Sequence, residues 1–90
     1  MLDELTQKLD ALISLHRRNG DIWVDFFEGC KERIARDPMF GCEYLTMAWH
    51  GIGAYDDERI FTNDNDEKAR LTLHPQIYKI ATEIKNAAAV

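Results

Sequence analysis

The residues best suited to chemistry gather in HGIGAYDDER, from His50 to Arg59, where a histidine, two glycines, an aromatic ring and three successive carboxylates stand together. Several kinds of chemistry use such residues, and spacing decides among them. Gly51 and Gly53 open a Gly-x-Gly pattern, but a dinucleotide loop needs a third glycine where Asp56 stands, and a carboxylate there repels phosphate. The two glycines read instead as a structural turn, Gly51 closing a helix and Gly53 permitting a second bend. Asp56, Asp57 and Glu58 could serve acid–base catalysis only if burial or a close charge drove their pKa values apart, and consecutive acids on a turn are more often solvated.

A calcium site fails on spacing as well. An EF-hand loop starting at Asp64 would put Ala69 where glycine is required and Pro75 where the bidentate glutamate belongs. A start at Asp56 fares no better, with Phe61 and Glu67 at those places. Cys30 and Cys42 match no zinc or redox spacing and sit beside apolar residues on helical patterns, so they read as buried free thiols. His16, His50 and His74 form no His-x-x-x-His or Cys/His grouping and read as helix-end or partly buried side chains. These residues thus assign no catalytic role, no metal and no cofactor.

The elements that must position this stretch follow from periodicity. Leu2, Leu5, Leu9, Leu12, Ile13 and His16 recur at spacings of three and four, which predicts a first helix to about Arg18. Asn19 and Gly20 break it, and Asp21 offers an N-cap for the second. Trp23, Phe26, Phe27, Cys30 and Ile34 form a wide apolar stripe that can pack against more than one neighbour. Asp37 followed by Pro38 marks the start of a third helix, running through Phe40, Tyr44, Leu45, Ala48 and Trp49 to Gly51. Residues 51–68 change character, and Asp56, Asp57, Glu58, Asp64, Asp66 and Glu67 with Thr62, Asn63 and Asn65 favour turns. Ile77, Ile80, Ala81, Ile84 and Ala88 predict a last helix from about His74. Residues 70–73 either pair with 59–61 as a short β-hairpin or add a turn to that helix. The expected fold is all-α: one domain over residues 1–90, a compact bundle of about four helices with a long acidic loop between the third and the fourth.

Composition narrows the function classes. Sixteen acids against eleven bases leave a formal charge of -5, which repels nucleic acid. The N-terminus carries acids where a signal peptide needs positive charge, and no segment approaches the roughly 20 apolar residues that cross a bilayer, so neither membrane nor export is expected and the chain reads as cytoplasmic.

Trp23 in an early helix, Asp37-Pro38 with Gly41 at the start of the third, and above all the run from Trp49 to Asp57 resemble an uncharacterised family of small bacterial proteins. That family carries a phenylalanine-glycine-glycine-methionine-glycine-serine-phenylalanine-asparagine-aspartate type of segment after two or three amphipathic helices. His50 stands where the family often has glycine, Ala54 where it has serine and Asp56 where it has asparagine. The resemblance implies a fold and a bacterial origin, and small acidic proteins of this sort often act as immunity proteins, which bind and block a toxin delivered by neighbouring cells.

The function expected is therefore a protein-binding domain that neutralises a cognate toxin through a basic surface on it. Tyr55, Asp56, Asp57 and Glu58 would make the contact, with Asp64, Asp66 and Glu67 steering the encounter; the alternative for Tyr55 is that it folds back onto the third helix as core. Two further readings stay open: a small ligand-binding or enzymatic domain using His50 and the 51–58 loop, and a homodimer that buries the stripe of the second helix or exposed residues such as Phe40.

Overall fold

Leu5, Leu9, Leu12, Ile13 and His16 are all buried, and the helix that carries them is α1 (Leu2–Arg18). The computed structural model describes residues 1–20, 22–50, 54–55 and 59–87 of the chain. At the end of α1 the Asn19 side chain donates to the Leu15 carbonyl at 2.7 Å, and Gly20 takes φ +66°, a left-handed value that favours glycine. The expected cap Asp21 lies outside the described residues. Helix α2 (Trp23–Arg36) turns Phe27, Cys30 and Ile34 fully inward and leaves Trp23 and Phe26 half-buried.

Helix α3 (Pro38–Thr46) starts as its sequence requires: Asp37 Oδ1 accepts the Phe40 N–H at 3.2 Å, and Pro38 occupies a position with no hydrogen bond to lose. Gly41 is the close-approach residue of the fold. A Cβ there would stand 2.4 Å from the Ile34 nitrogen, so α2 and α3 meet backbone to backbone. Helix α3 ends at Thr46, and the chain tightens into a 3₁₀ turn, Met47–Trp49, before His50 extends at φ -118° and ψ 143°. The third helix is thus shorter than its apolar pattern suggests, because its last turn winds tighter to satisfy terminal carbonyls. Gly51, its expected stop, lies outside the described residues.

The largest correction concerns α4 (Asp64–Ala87), which begins at Asp64 and not near His74. Asn63 caps it, its Oδ1 accepting the Asp66 N–H at 2.9 Å and its carbonyl the Glu67 N–H at 2.9 Å. Asp64, Asp66 and Glu67 therefore sit in the first helical turn, where the helix dipole favours negative charge. Residues 70–73 are helical, so the alternative hairpin does not form, and the described residues contain no strand. Pro75 sits inside α4, where it forfeits one hydrogen bond, to the carbonyl of Leu71 on an exposed side of the helix.

The helices form a ring in which α1 packs on α2 and α4, and α3 packs on the same two. Leu5, Leu9, Leu12, Phe27, Leu45 and Ile77 fill its middle, and Tyr55 and Phe61 join them from the connection between α3 and α4. No helix among the described residues is long and apolar enough to cross a membrane.

The two helical glycines should respond in opposite senses. Gly41→Ala forces α2 and α3 apart and is expected to cost about 3 kcal/mol in urea unfolding. Gly29→Ala, whose Cβ would meet only the flexible Arg33 Nη1 at 3.4 Å, should stabilise by about 0.5 to 1 kcal/mol. Equal effects would overturn the close-approach argument.

Candidate functional site: a tethered connection beside an aromatic groove

Tyr55 lies at the bottom of this region. It is 1% exposed, its hydroxyl is 2.7 Å from His16 Nε2, and its N–H donates to the Ala48 carbonyl at 2.7 Å. Arg70 Nη1 donates to its carbonyl at 3.3 Å. The ring packs edge-on against Trp23, Phe27, Trp49 and His74. Tyr55 is a core residue, which corrects the expectation of an exposed anchor: so many aromatic neighbours bury far more apolar area than a partner-facing ring would.

Glu67 is corrected for a similar reason. It is 5% exposed and forms a two-pronged pair with Arg70, itself 1% exposed, at 2.6 Å to Nη2 and 2.8 Å to Nε. Its carboxylate also accepts the N–H of Phe61 at 3.2 Å and so holds the connection against α4. The Arg70 hydrogen bonds, outweighing burial, draw the Glu67 carboxyl down to about 2. Arg70 escaped the sequence reading, although Glu67 and Arg70 stand at i and i+3, the spacing of a helical ion pair.

Asp66 is half-buried and grips Arg18 at 2.6 and 3.2 Å and the Asn19 side chain at 3.0 Å, which locks the end of α1 to the start of α4. Hydrogen bonds from Arg18 and then Asn19 hold its carboxyl below its ordinary value. Asp64 is exposed and accepts from Arg59 Nη2 at 2.6 Å, while Arg59 also donates to the carbonyls of Phe61 and Thr62 at 2.6 and 2.8 Å. Gly51, Gly53, Asp56, Asp57 and Glu58 lie outside the described residues. Of the expected contact residues the structure describes, only Asp64 is fully exposed.

The remaining polar groups have structural work. Trp49 Nε1 donates to His74 Nδ1 at 3.1 Å, and the exposed His50 ring meets Tyr78 edge-on. Burial pushes the Cys30 and Cys42 thiols up to about 12 and about 11, far from reactive thiolates. No group of three or more His, Cys, Asp or Glu among the described residues is placed to hold a metal ion.

Beside the connection runs an open groove of about 310 Å³, lined by Trp23, Phe26, Tyr44, Met47, His50 and Ala54 among others. Phe26 and Tyr44 stack at 5.4 Å, and the Arg33 guanidinium lies 4.1 Å over the Tyr44 ring. Comparison of the chain with protein-family models, with curated proteins and with solved structures gave no match.

The Glu67–Arg70 pair makes stability depend on pH in a defined direction. Glu67 titrates near 2 in the folded chain against an ordinary 4.5, so on acidification the unfolded chain takes the proton first. The contribution, on the order of 3 kcal/mol, is present above about pH 5 and is lost as pH falls towards 2. Glu67→Gln should lower stability at pH 7 and flatten this slope in urea unfolding between pH 7 and pH 3. A variant as acid-sensitive as the parent would show that the slope arises elsewhere. Tyr55→Phe, which removes the bond to His16, should cost about 1 to 3 kcal/mol at neutral pH.

Proposed function

We propose that this chain is a protein-binding domain, acting as an immunity protein that binds and neutralises a cognate bacterial toxin. One observation carries the reading. The buried polar side chains His16, Tyr55, Glu67, Arg70 and His74 are committed to bonds that hold the fold together, while Ile22, Phe40 and Met47 stand exposed. Binding by surface shape and charge is the activity such a distribution favours. Asp56, Asp57 and Glu58 follow Tyr55 directly in the chain, and Arg59 to Phe61 are fixed by Glu67 and by the Arg59 bonds. Three carboxylates adjacent in the sequence suit recognition of a basic surface, since clustered negative charge speeds encounter with it.

Co-expression with a candidate cognate toxin provides the test. Rescued growth together with co-purification of a complex is expected, and charge reversal at Asp56 and Asp57 should weaken the complex about tenfold or more. Undiminished toxicity with no complex would overturn the assignment to that toxin. A complex indifferent to the charge reversal would remove these carboxylates from the interface.

A further inference from the structure

His16 lies in the last turns of α1 and is 0% exposed, whereas His74 is 8% exposed and His50 stands at the surface. Its ring is walled by Phe27 of α2 at 5.4 Å and, from the connection between α3 and α4, by Tyr55 at 5.5 Å and Phe61 at 4.8 Å. Nε2 stands 2.7 Å from the Tyr55 hydroxyl, and the Arg70 guanidinium, 5.1 Å over the Tyr55 ring, hydrogen-bonds that same side chain. A guanidinium can only donate, so Arg70 takes a lone pair of the hydroxyl oxygen, and the hydroxyl proton is left for Nε2. His16 therefore enters the core as a neutral imidazole that accepts at Nε2.

The titratable groups on the elements packed against it are already engaged. On α4, Glu67 holds Arg70 and the Phe61 N–H, and His74 meets the Tyr55 ring edge-on at 5.6 Å while lining an open cleft that water can enter. On α1, Arg17 and Arg18 are exposed and pair with Glu28 and Asp66. On α2, the Cys30 thiol one turn from Phe27 is pushed up to about 12 and stays neutral. From the connection, the exposed Arg59 binds the Phe61 and Thr62 carbonyls and Asp64. A proton on Nε2 would set two cations, His16 and Arg70, on one hydroxyl oxygen inside an aromatic wall, and would take from the hydroxyl proton its acceptor. Turning His16 outward would disturb the end of α1, which Asn19 and Asp66 fasten, whereas Tyr55 and Phe61 belong to no helix and can lift away. We infer that His16 is an acid-sensitive latch, whose protonation releases Tyr55 and Phe61 from the bundle while the helices stay packed. An exposed imidazole takes its proton near pH 6.5, so the closed arrangement holds in full above that pH and gives way as pH falls below it. The latch is independent of the protein-binding reading.

Amide hydrogen exchange of the full chain, followed by NMR at pH 7.5 and pH 5.5, reads the latch. Both values lie above the range in which Glu67 contributes. After correction for intrinsic exchange, opening at the Tyr55 and Phe61 amides, which bond Ala48 and Glu67, should rise about tenfold on acidification. Opening at Leu9 and Ile77, buried in α1 and α4, should change by less than about twofold. His16→Gln keeps an acceptor but cannot titrate and should lose the acid response, while the surface variant His50→Gln should retain it. Where His16→Gln does not fold, the imidazole carbon-13 shifts of the parent chain decide, since the closed chain should keep His16 neutral at pH 5.5. A charged His16 ring in a chain whose Tyr55 and Phe61 amides stay protected overturns the inference. So does an acid response that survives His16→Gln, or one that His74→Gln alone removes, for then the Trp49–His74 bond is the sensor. An equal rise at Leu9 and Ile77 also overturns it, because the whole bundle then opens and not the connection.

Discussion

A single buried tyrosine ties the elements to one another. Tyr55 touches α1 through His16, α2 through Trp23 and Phe27, the 3₁₀ turn through Trp49 and Ala48, and α4 through Arg70 and His74. A polar group this deep is tolerable only when bonded, and its hydroxyl, N–H and carbonyl each find a partner within the protein. Tyr55 and Phe61, from the connection between α3 and α4, are consequently part of the core. The Glu67–Arg70 pair repeats the principle one layer out: a charge pair is expensive to bury, and it persists because Glu67 also satisfies a backbone N–H of the connection and Arg70 a carbonyl.

The described carboxylates differ in what each one touches. Asp66 and Glu67 are committed to architecture, one joining helix ends and the other holding the connection. Asp25 and Glu43 remain exposed, with no ion pair among the described residues, where they add little to stability.

Helix α3 owes its exposed face to the glycine on its opposite side. Gly41 lets the backbone of α3 rest on Ile34, which turns Gly41, Cys42, Leu45 and Thr46 inward. With a period near 3.6 residues, Phe40, Glu43 and Met47 must then point away from the bundle. Close approach within the fold and apolar display outside it are two consequences of one helix orientation.

Local pattern was enough to determine the all-α class, α1 nearly to the residue, the Gly20 stop, the Asp37–Pro38 start of α3 and the inward stripe of α2, because each depends on neighbours within a few positions along the chain. The capping of α4 was legible too, in Asn63 followed by the acids Asp64, Asp66 and Glu67 within one turn, but a dense run of turn-favouring residues masked it, and Pro75 masked the helical turns before it. What no local pattern could decide is which residues of the acidic stretch face inward. Tyr55 and Glu67 look like surface residues until His16, some forty positions away, and Arg70 are brought beside them. Burial is a property of the assembled bundle, since the desolvation that a tyrosine hydroxyl or a carboxylate suffers is offset only by partners that the tertiary fold supplies.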